Sequence, residues 1–351
     1  MNSVNIKKNL VFVITKSEVG GAQTWVSQLK EKLSACYNIY LVTAENGWLT
    51  THFDKENIKI IPGMLSFLRF DTTLRIAIFL RQINADVVIS NSANAGTYSR
   101  MSKLLYRHRH IYVSHGWSCI YNGGKLQKMY CLLEKWLSAL SDCILCVSEK
   151  DAENARKIIG IKSEKITVIN NSVIPKEKKK VINKRKKILF LGRLAYPKRP
   201  DLLLEVSRKF EDIDFYIVGS GPDFDSLKEN SQNVNNFIML GEICEFSKFS
   251  DYDIFILCSD SEGLPMSAIE AAAAGLPVML SNVGGCSEVI KETADGSSNG
   301  ILFQNKEEDI SEKLSIILEN YNCFFSSAQE LTYLYDLNVN VNKYISIIER
   351  S

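Results

Sequence analysis

No apolar run in these 351 residues approaches the roughly 20 that a membrane-spanning helix requires. Even Ile76-Ala77-Ile78-Phe79-Leu80 is closed on both sides, by Arg75 and Arg81. Residues 1–8 are polar and lead straight into an apolar stretch at 9–14, without the apolar core and cleavage site of a secretory signal, so none is expected. Cysteines number nine, an odd count scattered through a long chain, which suits free thiols in a reducing cytoplasm better than a disulfide framework. Cys143-Ile144-Leu145-Cys146 has redox or zinc spacing but no second such pair. It lies in a strand-like run, where residues three apart face opposite sides, so it reads as core. Internal repeats and low-complexity tracts are lacking, and so is any strong net charge: 42 Lys+Arg stand against 40 Asp+Glu. No nucleic-acid partner is expected.

A length of 351 residues exceeds what one hydrophobic core organises, and 46% hydrophobic with 23% charged residues marks a folded chain. Short apolar runs alternate with helix-length segments, at 9–14, 38–43, 86–90, 110–114 and 142–147, then at 187–191, 214–218, 236–239, 253–257 and 277–280. Such runs argue for parallel sheets covered on both faces. The expectation is therefore α/β, with two doubly wound, Rossmann-like domains. The polar stretch Asn170-Asn171-Ser172-Val173-Ile174-Pro175 and the lysine-rich run behind it mark the linker. We place a first domain over 1–175, a second over 176–332, and a terminal helix over 333–351 that could pack back on the first. Charge is unevenly divided: residues 1–175 carry 22 cations and 13 anions, or +9, and the remainder stands at −7. The first half is thus suited to an anionic surface or substrate. Within it, residues 100–110 mix Arg100, Lys103, Arg107 and Arg109 with apolar residues, fitting either contact with an anionic membrane or an ordinary solvated helix.

Open α/β sheets bind ligands beyond the carboxyl ends of their strands, which directs attention to the loops there. After the first strand, Gly20-Gly21 turns the chain into a helix beginning near Ala22, whose free N–H groups suit an anion or a sugar, although such a turn is often only a turn. After 188–191, Gly192-Arg193 and Lys198 set two cations in one loop, an arrangement a diphosphate favours. A glycine-rich turn, Gly219-Ser220-Gly221-Pro222, follows another strand. The strongest segment is Glu262-Gly263-Leu264-Pro265-Met266 through Glu270, two carboxylates eight positions apart about the start of a helix expected near Leu264 or Pro265. One carboxylate could accept from ribose hydroxyls and the other from a hexose, with the helix N-terminus facing phosphate. The alternative is a capping Glu262 and a solvated Glu270.

In these residues the chain resembles retaining glycosyltransferases of family four, with the GT-B fold of two Rossmann-like domains facing a central cleft, and more narrowly bacterial enzymes of O-antigen or capsule repeat units. The resemblance also takes in Ser281-Asn282-Val283-Gly284-Gly285 and covers almost the whole chain. It implies transfer of a hexose or N-acetylhexosamine from a nucleotide sugar, UDP foremost, to a polyprenyl-diphosphate-linked saccharide on the inner face of the cytoplasmic membrane. Arg193 and Lys198 would hold the diphosphate, Glu270 the ribose and Glu262 the transferred sugar. Gly20, Gly21, Gly263, Leu264, Pro265 and Met266 would line the donor site, and His115, in Ser114-His115-Gly116, matches the family's histidine at the donor sugar. Pro265 departs from the commoner glycine and removes a backbone donor. The resemblance further implies no metal and no cofactor. Asp251-Tyr252-Asp253, Asp212-Ile213-Asp214 and Asp223-Phe224-Asp225 mimic a metal-binding pattern but run into strands or a polar turn. A nucleotide-sugar epimerase or hydrolase on the same architecture, and a non-catalytic binding subunit, are the competing readings.

Overall fold

The computed structural model describes residues 7–67, 69–121 and 123–350; the question of a signal at residues 1–6 lies outside them. The chain divides into two compact units, one of residues up to Asn170 with those from Asn340 on, the other of Asn171–Val339. The first holds β1 Lys8–Val13, β2 Tyr37–Thr43, β3 Ile58–Ile60, β4 Val87–Ser90, β5 Arg109–Ser114, β6 Cys143–Cys146 and β7 Ile166–Val168, in the order β3-β2-β1-β4-β5-β6-β7. The second holds β8 Lys187–Leu191, β9 Asp214–Val218, β10 Phe237–Gly241, β11 Ile254–Leu257, β12 Val278–Ser281 and β13 Gly300–Phe303, in the order β10-β9-β8-β11-β12-β13. Neighbouring strands pair in parallel. Central strands are apolar on both faces because helices cover both. Leu10 through Val13 and Ile254 through Leu257 are fully buried.

Strands β3, β7 and β13 escaped the sequence reading. All three are edge strands of three or four residues, and only partly buried, so they lack the continuous apolar run that marks a central parallel strand. Cys143 and Cys146 lie in β6 with all four residues buried, and burial pushes both thiols up, away from the reactive thiolate.

The second unit begins five residues before the boundary read from sequence, because Val173 is zipped into it. The Val173 N–H donates to the Tyr335 carbonyl at 2.8 Å and the Leu337 N–H to the Val173 carbonyl at 2.9 Å. The terminal segment is a 3-10 turn, Leu331–Tyr335, and then a helix, Leu337–Glu349, rather than one helix from 333. The helix ends in the first unit: Tyr344 meets Trp25 edge-on at 5.7 Å, Ile347 accepts from the Arg109 guanidinium at 3.0 Å, and Glu349 pairs with Lys8 and Tyr37.

The basic run at 100–109 is corrected by the structure. Arg100 is fully buried, its guanidinium 2.8 Å from Glu134 and 4.4 Å over the Tyr112 ring. Lys103 pairs with Asp142, Arg109 is tied to Ile347, and of the four only Arg107 stands exposed. Arg100, Lys103 and Arg109 are thus held by partners within the fold, and the run does not form a surface patch.

Of the Asp-x-Asp residues, Asp253 and Asp214 are likewise occupied by the fold. Asp253 is fully buried, accepts from the backbone N–H groups of Asn183 at 3.1 Å and Lys187 at 2.9 Å, and lies 3.2 Å from the buried Lys179 ammonium. Asp214 begins β9 and takes a 2.8 Å bond from Arg185. Burial pulls the Lys179 ammonium below its ordinary pKa, against the attraction of Asp253. A buried pair broken on one side leaves a charge without compensation. Asp253→Ala is therefore expected to cost about 3–5 kcal/mol of stability, read as a lowered urea midpoint with an unchanged slope. A loss below about 1 kcal/mol would mean that water or a shifted side chain satisfies Lys179.

Candidate active site

Each sheet changes direction once, between β1 and β4 in the first unit and between β8 and β11 in the second. Loops leaving such a pair of strands turn to opposite sides and open a crevice at their carboxyl ends. Of the loops selected from sequence, those after β1, β8 and β11 fall at these two points, whereas the turn at 219–222 follows β9 and His115 follows β5.

In the second unit, the loop after β8 is fastened from both sides. Toward β9, Gly192 N–H donates to the Val218 carbonyl at 3.0 Å, Leu194 N–H to Ser220 at 2.9 Å, and Asp223 N–H to Leu194 at 3.0 Å. Gly219 and Gly221 have φ of +145° and +156°, and a β-carbon on them would lie 1.9 Å from the Gly192 carbonyl oxygen and 2.3 Å from that of Leu194. Only glycine fits there. Toward β11, Arg199 N–H donates to Cys258 at 3.0 Å and Asp260 N–H to Pro197 at 2.8 Å. This loop presents Arg193, exposed and without an ion pair among the described residues, and Lys198, whose ammonium is bonded to Glu262.

The glutamate segment is fastened in the same manner. Gly285 N–H donates to the Gly263 carbonyl at 2.8 Å, and Gly284, at φ +51°, would place a β-carbon 1.7 Å from the Glu262 carbonyl oxygen. The Asn171 amide donates to the Leu264 carbonyl at 3.3 Å. Leu264, Pro265 and Met266 are buried, and the helix runs Met266–Ala273 with Pro265 as its N-cap. Placing proline at the cap costs the first turn no donor: the N–H groups of Met266, Ser267 and Ala268 have no partner within the helix, and Ile269 N–H takes the Pro265 carbonyl at 3.2 Å. Glu270, the fifth helical residue, is partly buried and has no hydrogen-bond partner among the described residues. Burial raises its pKa to about 7, with the Lys176 charge opposing. A half-ionised, unpartnered carboxylate is suited to accept from ligand hydroxyls. Beside Lys198, a cavity of about 260 Å³ opens between Tyr196, Arg199 and the helix Phe224–Asn230, and neither glutamate lines it.

In the first unit, Gly20 is the N-cap of the helix Gly21–Leu33, and Gln23 folds back to donate to the Lys16 carbonyl at 3.0 Å. Gly20 is extended, at φ −176°, so its backbone conformation is open to any residue, although a β-carbon would crowd the Gln23 amide at 2.7 Å. His115 directly follows β5. Its Nε2 lies 3.1 Å from Asn91 Oδ1, and its ring meets Trp25 edge-on at 5.3 Å. Burial lowers its pKa to about 4, so the imidazole is neutral at pH 7. Because the Asn91 amide nitrogen is turned to the Ile89 carbonyl at 3.2 Å, its oxygen faces the ring and accepts from Nε2–H. Nδ1 is then the unprotonated acceptor. Asn91 was not singled out from sequence. It is the first residue after β4, at the switch point, and the loop rule applied there would have found it.

The structure thus joins Lys198 to Glu262, and brings Arg193, Gly263, Leu264 and Pro265 to the loops after β8 and β11, with Met266 and Glu270 on the helix that follows the second of them. Gly20, Gly21 and His115 lie at the corresponding ends of β1 and β5. Among the described residues, no three His, Cys, Asp or Glu side chains gather as metal ligands would, and no helix is long and apolar enough to cross a membrane.

Comparison with known proteins places this arrangement. The family model for Glycosyltransferase Family 4 matches residues 19–177, and that for Glycosyl transferases group 1 matches residues 173–332. The chain is 42% identical over 343 residues to the O-antigen biosynthesis glycosyltransferase WbnH of Escherichia coli, covering 97% of this chain and 99% of that one. It is 27% identical to the Escherichia coli UDP-Gal:alpha-D-GlcNAc-diphosphoundecaprenol alpha-1,3-galactosyltransferase, over 84% of this chain and 85% of the other. Among solved structures, Anabaena HepE in complex with UDP and glucose superimposes with a TM-score of 0.80 over 96% of this chain and 98% of that one, at 15% identity, a likeness of fold. The chain is an enzyme that belongs to glycosyltransferase family four, has the GT-B fold, and is a relative of the glycosyltransferases of O-antigen biosynthesis.

Proposed function

We propose that the chain moves a hexose or N-acetylhexosamine from a UDP-sugar to a polyprenyl-diphosphate-linked saccharide, with retention of anomeric configuration and without a metal. The observation that carries this reading is the ion pair of Lys198 and Glu262 on fastened loops, with the exposed Arg193 on the same loop and Glu270 unpartnered one helical turn behind. The UDP complex of Anabaena HepE and the diphosphoundecaprenol acceptor named for the galactosyltransferase support the choice of donor and acceptor.

In this reading Glu270 accepts from the ribose hydroxyls and Glu262 from the sugar. The first-turn N–H groups of Met266, Ser267 and Ala268 face phosphate. Before the donor binds, Lys198 and Glu262 neutralise and order each other. Once Glu262 turns to the sugar, the ammonium is released to the diphosphate. As the glycosidic bond breaks, the diphosphate gains about one negative charge, which Arg193 and Lys198 stabilise, and its departing oxygen helps to take the acceptor proton. Neutral His115 offers Nδ1 to a sugar hydroxyl rather than donating a proton. An epimerase or hydrolase would release altered or free sugar from the donor alone, whereas the proposed transfer requires the lipid acceptor. Mass spectrometry of the acceptor after incubation with a panel of donors tests the whole reading.

Three outcomes follow for the site. Glu270→Gln should weaken binding of bare UDP, because ribose is common to substrate and product, whereas Glu262→Gln should spare UDP affinity and reduce transfer. Calorimetry decides this, and equal losses of UDP affinity in both variants would refute the assignment.

The Glu270 carboxylate, not the acid, accepts from two hydroxyls, so binding favours the ionised form. Affinity for an intact UDP-sugar should be full above about pH 7 and fall as the pH drops through that value, approaching tenfold per unit well below it. Glu270→Gln should flatten the profile. An unchanged slope in that variant would assign the proton to another group.

A cation 4 Å from the leaving group interacts by roughly 4 kcal/mol at an effective dielectric near 20, part of it already present with the intact donor. If half is differential, on the order of 2 kcal/mol, then Arg193→Ala or Lys198→Ala should slow saturated turnover about 30-fold. The rates are to be measured with a chelator present. Near wild-type turnover in both variants would place these residues away from the leaving group, and loss of wild-type activity on chelation would overturn the metal-free mechanism.

A further inference from the structure

The helix Gln127–Ser138 connects β5 to β6 and buries Cys131, Glu134, Leu137 and Ser138. Its opposite face presents Met129, Leu132 and Trp136, which are 54%, 47% and 68% exposed. These positions, spaced by three and four, form one stripe on an α-helix. Lys128 and Lys135 run beside the stripe, both exposed, and the exposed Lys125 and Leu126 precede it in the turn Gly124–Leu126. The helix has one acid, Glu134, which is turned inward to the buried Arg100 at 2.8 Å. Its outward face is therefore apolar and cationic, with no carboxylate. A large exposed tryptophan in line with an exposed leucine and methionine is unusual on a surface that meets only water.

We infer that this face of the helix Gln127–Ser138 docks on an anionic membrane surface. Trp136, Leu132 and Met129 would enter the boundary between headgroups and acyl chains, while Lys128 and Lys135 extend along them to lipid phosphates. The +9 charge of residues 1–175 draws the unit toward the same surface. A second copy of the chain is the less suitable occupant, since a two-fold contact through this stripe sets Lys128 and Lys135 against their own equivalents. The surface differs from the 100–109 run, for which the sequence left membrane contact and a solvated helix both open and whose cations are mostly spent within the fold.

The test is flotation of the full chain with vesicles, either of phosphatidylcholine alone or of phosphatidylcholine with phosphatidylglycerol, at low and high salt. It contains neither donor nor acceptor, so it stands apart from the proposed transfer. The wild-type chain should float with the anionic vesicles at low salt and be released at high salt. Leu132→Glu with Trp136→Glu, and separately Lys128→Glu with Lys135→Glu, should each lower the partition coefficient by about tenfold or more. Lys55→Glu with Lys59→Glu makes the same charge change beside β3, at the far edge of the sheet, and should retain most of the binding. Thermal midpoints within a few degrees of wild type establish that each variant is folded. The proposal is overturned if wild type fails to float at low salt, if either helix variant floats as wild type does, or if the β3 control loses as much. It is also overturned if the chain elutes as a dimer that Trp136→Glu dissolves while vesicle binding is absent.

Discussion

The loops at the carboxyl ends of β8 and β11 depend on backbone lying directly against backbone. At the carboxyl ends of β8 and β11, the Gly192–Leu194 stretch touches Gly219 and Gly221, and the Glu262 carbonyl touches Gly284, at separations that leave no room for a β-carbon. Arg193 and Glu262 are carried on these stretches. A side chain at any of the three glycines would push the loop away and displace Arg193 or Glu262. The hydrogen bonds from Leu194 N–H to Ser220 and from Gly285 N–H to Gly263 are made available by this close approach. The glycine turns behind the charged loops therefore fix where those loops lie.

Burial then decides the protonation of what the loops carry. His115, at the end of β5, is held neutral with Nε2–H committed to Asn91, and Glu270 is brought to the middle of the physiological range by the low dielectric around the helix Met266–Ala273. Lys198 and Glu262 satisfy each other. Elsewhere buried charge serves the scaffold: Arg100 with Glu134 in the first unit and Lys179 with Asp253 in the second, each wrapped by further hydrogen bonds. The two uses are distinguished by partners. Scaffold charges are paired among themselves and removed from water, whereas the side chains of Arg193, on the loop after β8, and Glu270, on the helix Met266–Ala273, have no partner among the described residues.

Much of this was legible in the chain itself, for identifiable reasons. Central parallel strands are buried on both faces, so β1, β4, β8 and β11 appear as apolar runs, and the loops after them can be located without a structure. The eight-residue spacing of Glu262 and Glu270 about a helix start, and the cations of the Gly192–Lys198 loop, depend on local sequence and were found. What remained hidden depends on distant residues. Edge strands β3, β7 and β13 have no apolar run of their own. The Val173 contact with Tyr335 and Leu337 moved a unit boundary by joining residues more than 160 positions apart. Asn91 gains its role only when β4 and β5 lie side by side.

The sequence by itself determined the α/β class, the two-unit organisation, and the position and charge of the loops at the strand ends, since each follows from periodicity, spacing or composition over a few consecutive residues. Tertiary structure decided which charges those loops and surfaces have to spend. Arg100 looks like a surface cation until Glu134, 34 positions away, is folded against it, and Trp136 looks like a core residue until its helix is seen to bury the opposite face. Whether a charged or aromatic side chain meets water, a partner or a ligand is set by desolvation and pairing between segments remote in the chain. Those energies do not exist until the segments are brought together.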